Sequence, residues 1–193
     1  MIYLARHGRT PYNHEGRFQG QGDVPLDETG LQQAQELARN AARHGFAALW
    51  ASPLRRAGQT AEAVAAATGL EIRFDDRLME THTGDWTDRT FADVRAEDPQ
   101  AFDAWAHGDA SFAFPGGESF QQQGDRVMAC LDDVARGPQP ALVVCHGVTA
   151  RLALARWRGE PGPDANPIAN GALVPIDGSA VEEPDTATDT AAS

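Results

Sequence analysis

Ile2-Tyr3-Leu4-Ala5-Arg6-His7-Gly8-Arg9-Thr10 opens with four apolar residues and stops abruptly at polar ones set around a glycine. That is the pattern of a short buried strand delivering polar side chains to a turn at its C-terminal end. It returns late in the chain, where Ala141-Leu142-Val143-Val144-Cys145 ends on His146-Gly147. A run that is apolar at every position suits a parallel sheet covered by helices on both faces. The helices are legible too. Leu31, Ala34, Leu37, Ala38 and Ala41 recur at helical intervals from about Thr29 to Arg43. Ala47 to Ala51 reads as a second strand ended by Ser52-Pro53, followed by an alanine-rich helix from Leu54 to about Thr68 that stops at Gly69. A third strand is expected over Leu70 to Phe74, a long helix over Glu118 to Arg136, a further helix from about Thr149 to Trp157, and a last strand near Ala172 to Ile176. This alternation predicts an α/β fold, a three-layer α/β/α sandwich with a mostly parallel sheet. Ligands of such sheets bind beyond the C-terminal strand ends, so neighbouring strands ending at His7 and His146 would bring both histidines to one edge.

Residues 1–177 read as one domain. Between Arg77 and Gly117 the periodicity loosens, with Trp86, Phe91, Phe102 and Trp105 set among charges. Residues 77–117 are therefore expected to form an insertion with two short helices that covers the site. Residues 178–193 hold four acidic residues and no basic ones, the composition of a disordered tail.

Acidic residues outnumber basic ones by 28 to 16, a net charge of −12, and every basic residue is arginine. The absence of lysine excludes the P-loop, Schiff-base chemistry and a lysine nucleophile. Without basic runs, neither nucleic acid nor an anionic membrane is an expected partner. No apolar stretch is long enough to span a bilayer and the start lacks a basic n-region, so a soluble cytoplasmic protein is expected, compatible with a homodimer. Cys130 and Cys145 read as small core residues.

A histidine placed where a buried strand ends at a glycine turn is oriented by backbone and open to a ligand, which makes His7 a candidate for chemistry. Gly8 permits a tight turn and the close approach of a phosphate. Thr10, Asn13 and Gln19 add hydroxyl and amide donors. In Ser52-Pro53-Leu54-Arg55-Arg56-Ala57 a helix begins with arginine, unfavourable with the helix dipole unless an anion sits there. Of the two, Arg55 is assigned as the anion ligand and Arg56 to the surface. Glu80 is the candidate general acid, since a partly buried carboxyl beside a phosphate dianion holds its proton. His82, two residues on, does not share a face with it. A zinc centre of His7, Glu80, His82 and His146 is the competing metal reading, although the chain has neither HExxH nor CxxC.

Taken together, Arg6-His7-Gly8-Arg9-Thr10, Asn13, Arg17 to Asp23, Ser52 to Ala57, Glu80, Pro115-Gly116-Gly117-Glu118-Ser119 and His146-Gly147 resemble the histidine phosphatase (phosphoglycerate mutase-like) superfamily, from Ile2 to about Ile176. The resemblance implies that His7 is the nucleophile, that Arg6, Arg55 and a protonated His146 bind the phosphoryl group, and that Glu80 is the acid-base residue. Thr10, Asn13, Gln19, Gly20, Gly147 and His82 are the implied substrate contacts, with no metal or other cofactor. The expected activity is hydrolysis of small phosphomonoesters, sugar-linked or other organic phosphates, through a phosphohistidine intermediate. The Glu80-Thr81-His82 to Gly84-Asp85-Trp86 segment and Gln19-Gly20-Gln21 are similar to glucosyl-3-phosphoglycerate phosphatases. A mutase and a non-catalytic module binding a phosphorylated metabolite are the alternatives. The absence of lysine disfavours the mutase, which needs extra cations to retain a bisphosphate.

Overall fold

A computed structural model describes residues 1–164 and 166–177, so the acidic stretch 178–193 lies outside the described residues. Five strands, β1 (Ile2–Arg6), β2 (Ala48–Ala51), β3 (Ile72–Phe74), β4 (Ala141–Cys145) and β5 (Leu173–Pro175), form one sheet in the order β3-β2-β4-β1-β5. All neighbouring pairs are parallel except β1 with β5. The expected mixed, mostly parallel sandwich is therefore the fold.

Alternation along β1 and β4 divides the core in two. Leu4, Val143 and Cys145 face Val127, Cys130 and Leu131 of α6 (Phe120–Arg136) and Ala150 and Ala153 of α7 (Gly147–Trp157). Ala5, Leu142 and Val144 face Leu37, Ala38 and Ala41 of α2 (Glu28–His44) and Ala57, Ala61 and Val64 of α3 (Arg55–Thr68). A fully buried leucine such as Leu142 contributes about 2 kcal/mol. Among the described residues, no helix is long and apolar enough to cross a membrane.

Element ends shift where caps decide them. Ser119 caps α6 in a reciprocal box with Gln122, so that helix starts at Phe120 rather than Glu118. Leu54 is the N-cap of α3, which puts Arg55 and Arg56 in the first two helical positions. A short helix the periodicity did not announce, α1 (Pro11–Glu15), is made by a Thr10–Asn13 capping box with proline at the first helical position. The insertion contains α4 (Phe91–Glu97) and α5 (Pro99–Ala106). Phe18, Trp86, Val94, Phe112, Phe114 and Phe120 give it an aromatic core of its own above the strand ends.

Gly8 is required by packing rather than by a ligand: a Cβ there would lie 2.3 Å from the carbonyl oxygen of Gly30, in the first turn of α2. The loop after β1 is thereby clamped to α2, and Arg9 reinforces it through Asp27 at 2.7 Å.

Candidate active site

Strand register places the two histidines. Arg6 stands opposite Cys145 in the parallel β1–β4 pair, and the His7 amide extends the ladder to the Cys145 carbonyl at 3.0 Å. Both chains leave the sheet together, so the His7 and His146 rings lie 5.1 Å apart between centroids. On the other side of β4, β2 is followed directly by Ser52, whose Oγ is 2.7 Å from His146 Nε2.

His7 is buried, with Nδ1 2.6 Å from the Gly8 carbonyl oxygen. A carbonyl only accepts, so Nδ1 carries the proton and Nε2 keeps its lone pair. Burial first, then Arg56 and Arg6, hold its pKa well below the ordinary 6.5, against a smaller opposing effect of the Gly8 carbonyl. The imidazole is thus a neutral, oriented nucleophile. His146 is driven the same way by burial, then by Arg56 and His7. These surroundings work against the expected imidazolium, since two rings packed together beside arginines resist a further positive charge. His146 Nδ1 is buried without a partner.

The arginine assignment is corrected. Arg55 turns outward, its side chain 55% exposed and 3.8 Å from Asp23. Arg56 is 1% exposed and lines the cavity beside His7, donating from Nη2 to the Gly20 carbonyl at 2.8 Å and from Nη1 to the Gly22 carbonyl at 3.0 Å. Successive helical residues point about 100° apart, so a one-residue shift in helix start exchanges which arginine faces inward. Desolvation lowers Arg56 to about 10 and also depresses Arg6. Arg6 donates from Nη1 to the Ile168 carbonyl at 2.5 Å. The Nε groups of both arginines are buried and unpartnered among the described residues.

Amides complete the floor. The Thr10 hydroxyl lies 3.0 Å from Asn13 Oδ1 and 2.9 Å from Gln19 Oε1. With their oxygens held by Thr10, the amide nitrogens of Asn13 and Gln19 remain as donors for the cavity that both residues line. Thr10 itself is fully buried and does not line that cavity, so it positions donors instead of meeting substrate. Gly20 and Gly147 do line it. A Cβ on Gly147 would come within 3.3 Å of Arg6 Nε, so the glycine leaves room for that guanidinium.

Glu80 enters the cavity from the segment after β3. Its Oε2 accepts from the Val148 amide at 3.1 Å, and its Oε1 from the Thr149 amide at 3.2 Å and Gln123 Nε2 at 3.1 Å. The carboxyl therefore sits at the N-terminus of α7, where backbone N–H groups favour an acidic side chain. Arg126 fixes the approach by donating to the carbonyls of Arg77, Met79 and Glu80. His82 does not join the site. It is exposed and lines a separate groove with Gln21, Asp76 and Glu118, which removes it as a substrate contact and breaks the four-residue zinc constellation.

The cavity holds about 300 Å³. Besides the residues above, it is lined by Arg17, Arg151, Phe18, Phe91, Trp105, Phe114, Val148, Pro167 and Ile168. Arg151 had one available signal: it lies four residues after Gly147, one helical turn along the same face. Gln123 and Arg126, which hold Glu80, gave none beyond helical spacing.

With that geometry in view, the chain belongs to the histidine phosphatase superfamily (branch 1), whose pattern it matches over residues 2–179. It is 37% identical over 164 residues to the probable phosphoglycerate mutase GpmB of Escherichia coli O1:K1 / APEC, covering 83% of this chain and 76% of that protein. The mycobacterial glucosyl-3-phosphoglycerate phosphatase Rv2419c, solved with VO3, superposes with a TM-score of 0.82 at 34% identity, over 89% of this chain and 88% of that one. The alpha-ribazole phosphatase of Shigella flexneri gives 0.76 at 30% identity, over 89% and 87%. The class is thus a histidine phosphatase-type α/β enzyme, with phosphatases and a probable mutase among its relatives.

Proposed function

We propose that this protein hydrolyses small phosphomonoesters without a metal ion, through a phosphohistidine on His7. The observation that carries the reading is the donor-only floor: the buried, unpartnered Nε groups of Arg6 and Arg56 beside a neutral His7 whose Nε2 lone pair is free. Burying guanidinium groups without an anionic partner is costly, and an incoming phosphoryl dianion supplies the missing charge. That a similar mycobacterial phosphatase is solved in complex with the oxoanion VO3 supports the reading.

His7 Nε2 attacks phosphorus in line as the P–O bond to the alcohol breaks, and Glu80 gives its proton to the departing oxygen. Arg6, Arg56, Asn13 and Gln19 meet the charge on the equatorial oxygens, with His146 packed against the His7 ring. Water then loses a proton to the Glu80 carboxylate and attacks phosphorus. The P–N bond breaks, releasing inorganic phosphate and restoring neutral His7.

The test is hydrolysis of p-nitrophenyl phosphate in EDTA. Activity is expected to persist in the wild type, to disappear in His7→Ala, and to pass through an acid-labile, base-stable phosphoenzyme. Full activity in His7→Ala would overturn the reading. Arg17 and Arg151 in the lining favour a mutase as the second reading, because they add cations that could retain a bisphosphate. It predicts exchange of phosphate between the positions of phosphoglycerate with little free phosphate, visible by NMR.

A further inference from the structure

The cavity has two chemically different halves. Its floor is the donor set of Arg6, Arg56, Asn13 and Gln19 around His7. Its outer wall is aromatic and aliphatic: Phe18, Phe91, Trp105 and Phe114 from the insertion side, Val148, Pro167 and Ile168 opposite. Resting on the phosphatase reading above, we infer that the leaving group is a compact hydrophobic, ring-bearing alcohol and not a polyhydroxylated sugar.

Three observations support this. The aromatic rings form one connected surface, with centroids of Phe18 4.6 Å from Phe91 and 4.8 Å from Trp105, and Phe91 5.3 Å from Trp105. Phe91 lines the cavity and keeps 36% of its surface exposed, whereas Phe18 and Phe114 are buried. An exposed aromatic face on a concave surface is the signature of an apolar ligand site.

The polar groups of the wall are already engaged. Thr81 bonds Gln123, Thr83 pairs with Thr87 at 2.8 Å, and Arg17 is held by Glu15 at 2.5 Å and the Asp88 carbonyl at 2.9 Å. Glu80 is the one carboxylate among the lining residues, and both its oxygens are taken by α7. A sugar hydroxyl both donates and accepts, and the apolar side chains of the wall offer it neither, so each hydroxyl buried against them gives up its hydrogen bonds to water. Arg151, one turn along α7 from Gly147, is held by the Asp164 carbonyl through its Nε.

The experiment compares phosphomonoesters of primary alcohols, so that leaving-group chemistry is similar: methyl phosphate, benzyl phosphate, glycerol 1-phosphate and glucose 6-phosphate. Benzyl phosphate is expected to exceed glycerol 1-phosphate and glucose 6-phosphate in kcat/KM by about 30-fold, within the range a hydrophobic pocket can discriminate. Trp105→Ala should reduce kcat/KM for benzyl phosphate about tenfold more than for methyl phosphate. If that variant fails to fold, Phe91→Ala, at a more exposed ring, should show the same selective loss. Sugar or glycerol phosphates turned over as well as benzyl phosphate, by an enzyme that still forms phospho-His7, would overturn this inference and leave the phosphatase reading intact. Absence of both turnover and phosphoenzyme would overturn both.

Discussion

Arg55 and Arg56 are adjacent, equally charged, and placed by the fold in opposite environments, so exchanging each for alanine tests the proposed site sharply. Arg56→Ala removes a 1% exposed guanidinium with Nε unpartnered and with two bonds, at 2.8 and 3.0 Å, that hold the loop at Gly20 and Gly22. Losing one preorganised donor to a developing oxyanion costs about 10² to 10³ in rate, and freeing the loop beside Gln19 adds misplacement, so kcat/KM should fall about 10³ to 10⁴-fold. Arg55→Ala removes a side chain 55% exposed, whose 3.8 Å pair is with an Asp23 side chain 77% exposed. Such a pair is worth under about 1 kcal/mol, and kcat/KM should change less than about threefold. Hydrolysis of p-nitrophenyl phosphate by the purified variants reads the rates. Thermal unfolding with vanadate reads anion binding separately: at a concentration of about 100 Kd, an intact site gains about 2.7 kcal/mol. Wild type and Arg55→Ala should show that stabilisation, and Arg56→Ala should not. Equal loss of activity in the two variants, or an anion response lost only in Arg55→Ala, would refute the assignment.

The buried histidines set a pH dependence of stability. His7 and His146 stay neutral in the fold with pKa values well below 6.5, while the unfolded chain protonates them near that value. More protons are then bound by the unfolded state, so their contribution is present above pH 6.5 and lost as pH falls below it, by at most about 1.4 kcal/mol per histidine per pH unit. Urea unfolding at pH 5, 6 and 7 should show this loss, and a His7→Asn/His146→Asn double variant should show a correspondingly flatter profile. Gly147→Ala places a methyl 3.3 Å from Arg6 Nε, so kcat/KM should fall about 10 to 100-fold as the guanidinium is displaced, with little change in urea midpoint. His82→Ala should leave kcat/KM within about twofold, because His82 is exposed in a separate groove; a larger loss would return it to the site.

What could be read from the sequence follows a physical division. An apolar run that halts on Arg6-His7 or Cys145-His146 fixes both the strand and the edge at which its polar residues emerge, because in a parallel sheet all such ends point the same way. Arg6, His7 and His146 were legible for that reason, whereas Glu80, beyond a turn after β3, was reached through the family resemblance. Helical phase was not legible to the same precision. Whether α3 starts at Leu54 or Arg55 decides which arginine turns inward, and it is the extended backbone of Leu54, with ψ at 134°, that distinguishes the two. The charge state of His146 was not legible either, because it depends on burial, on Arg56, which joins the site from a third segment, and on packing against His7.

The aromatic wall was harder still, since Phe18, Phe91, Trp105 and Phe114 come from separate stretches with no shared periodicity. Their convergence arises from the insertion folding over Phe18, with the Phe18 amide bonded to the Arg89 carbonyl at 3.0 Å and the Phe91 amide to the Gly16 carbonyl at 2.7 Å. The floor is thus built from strand ends and helix starts that the sheet constrains, and the wall from a segment the sheet does not constrain. On the proposed reading, substitutions in the wall alter which alcohol is accepted without moving His7, Arg6 or Arg56. Specificity in this fold is therefore expected to vary at Phe91 and Trp105 while the phosphoryl chemistry stays fixed.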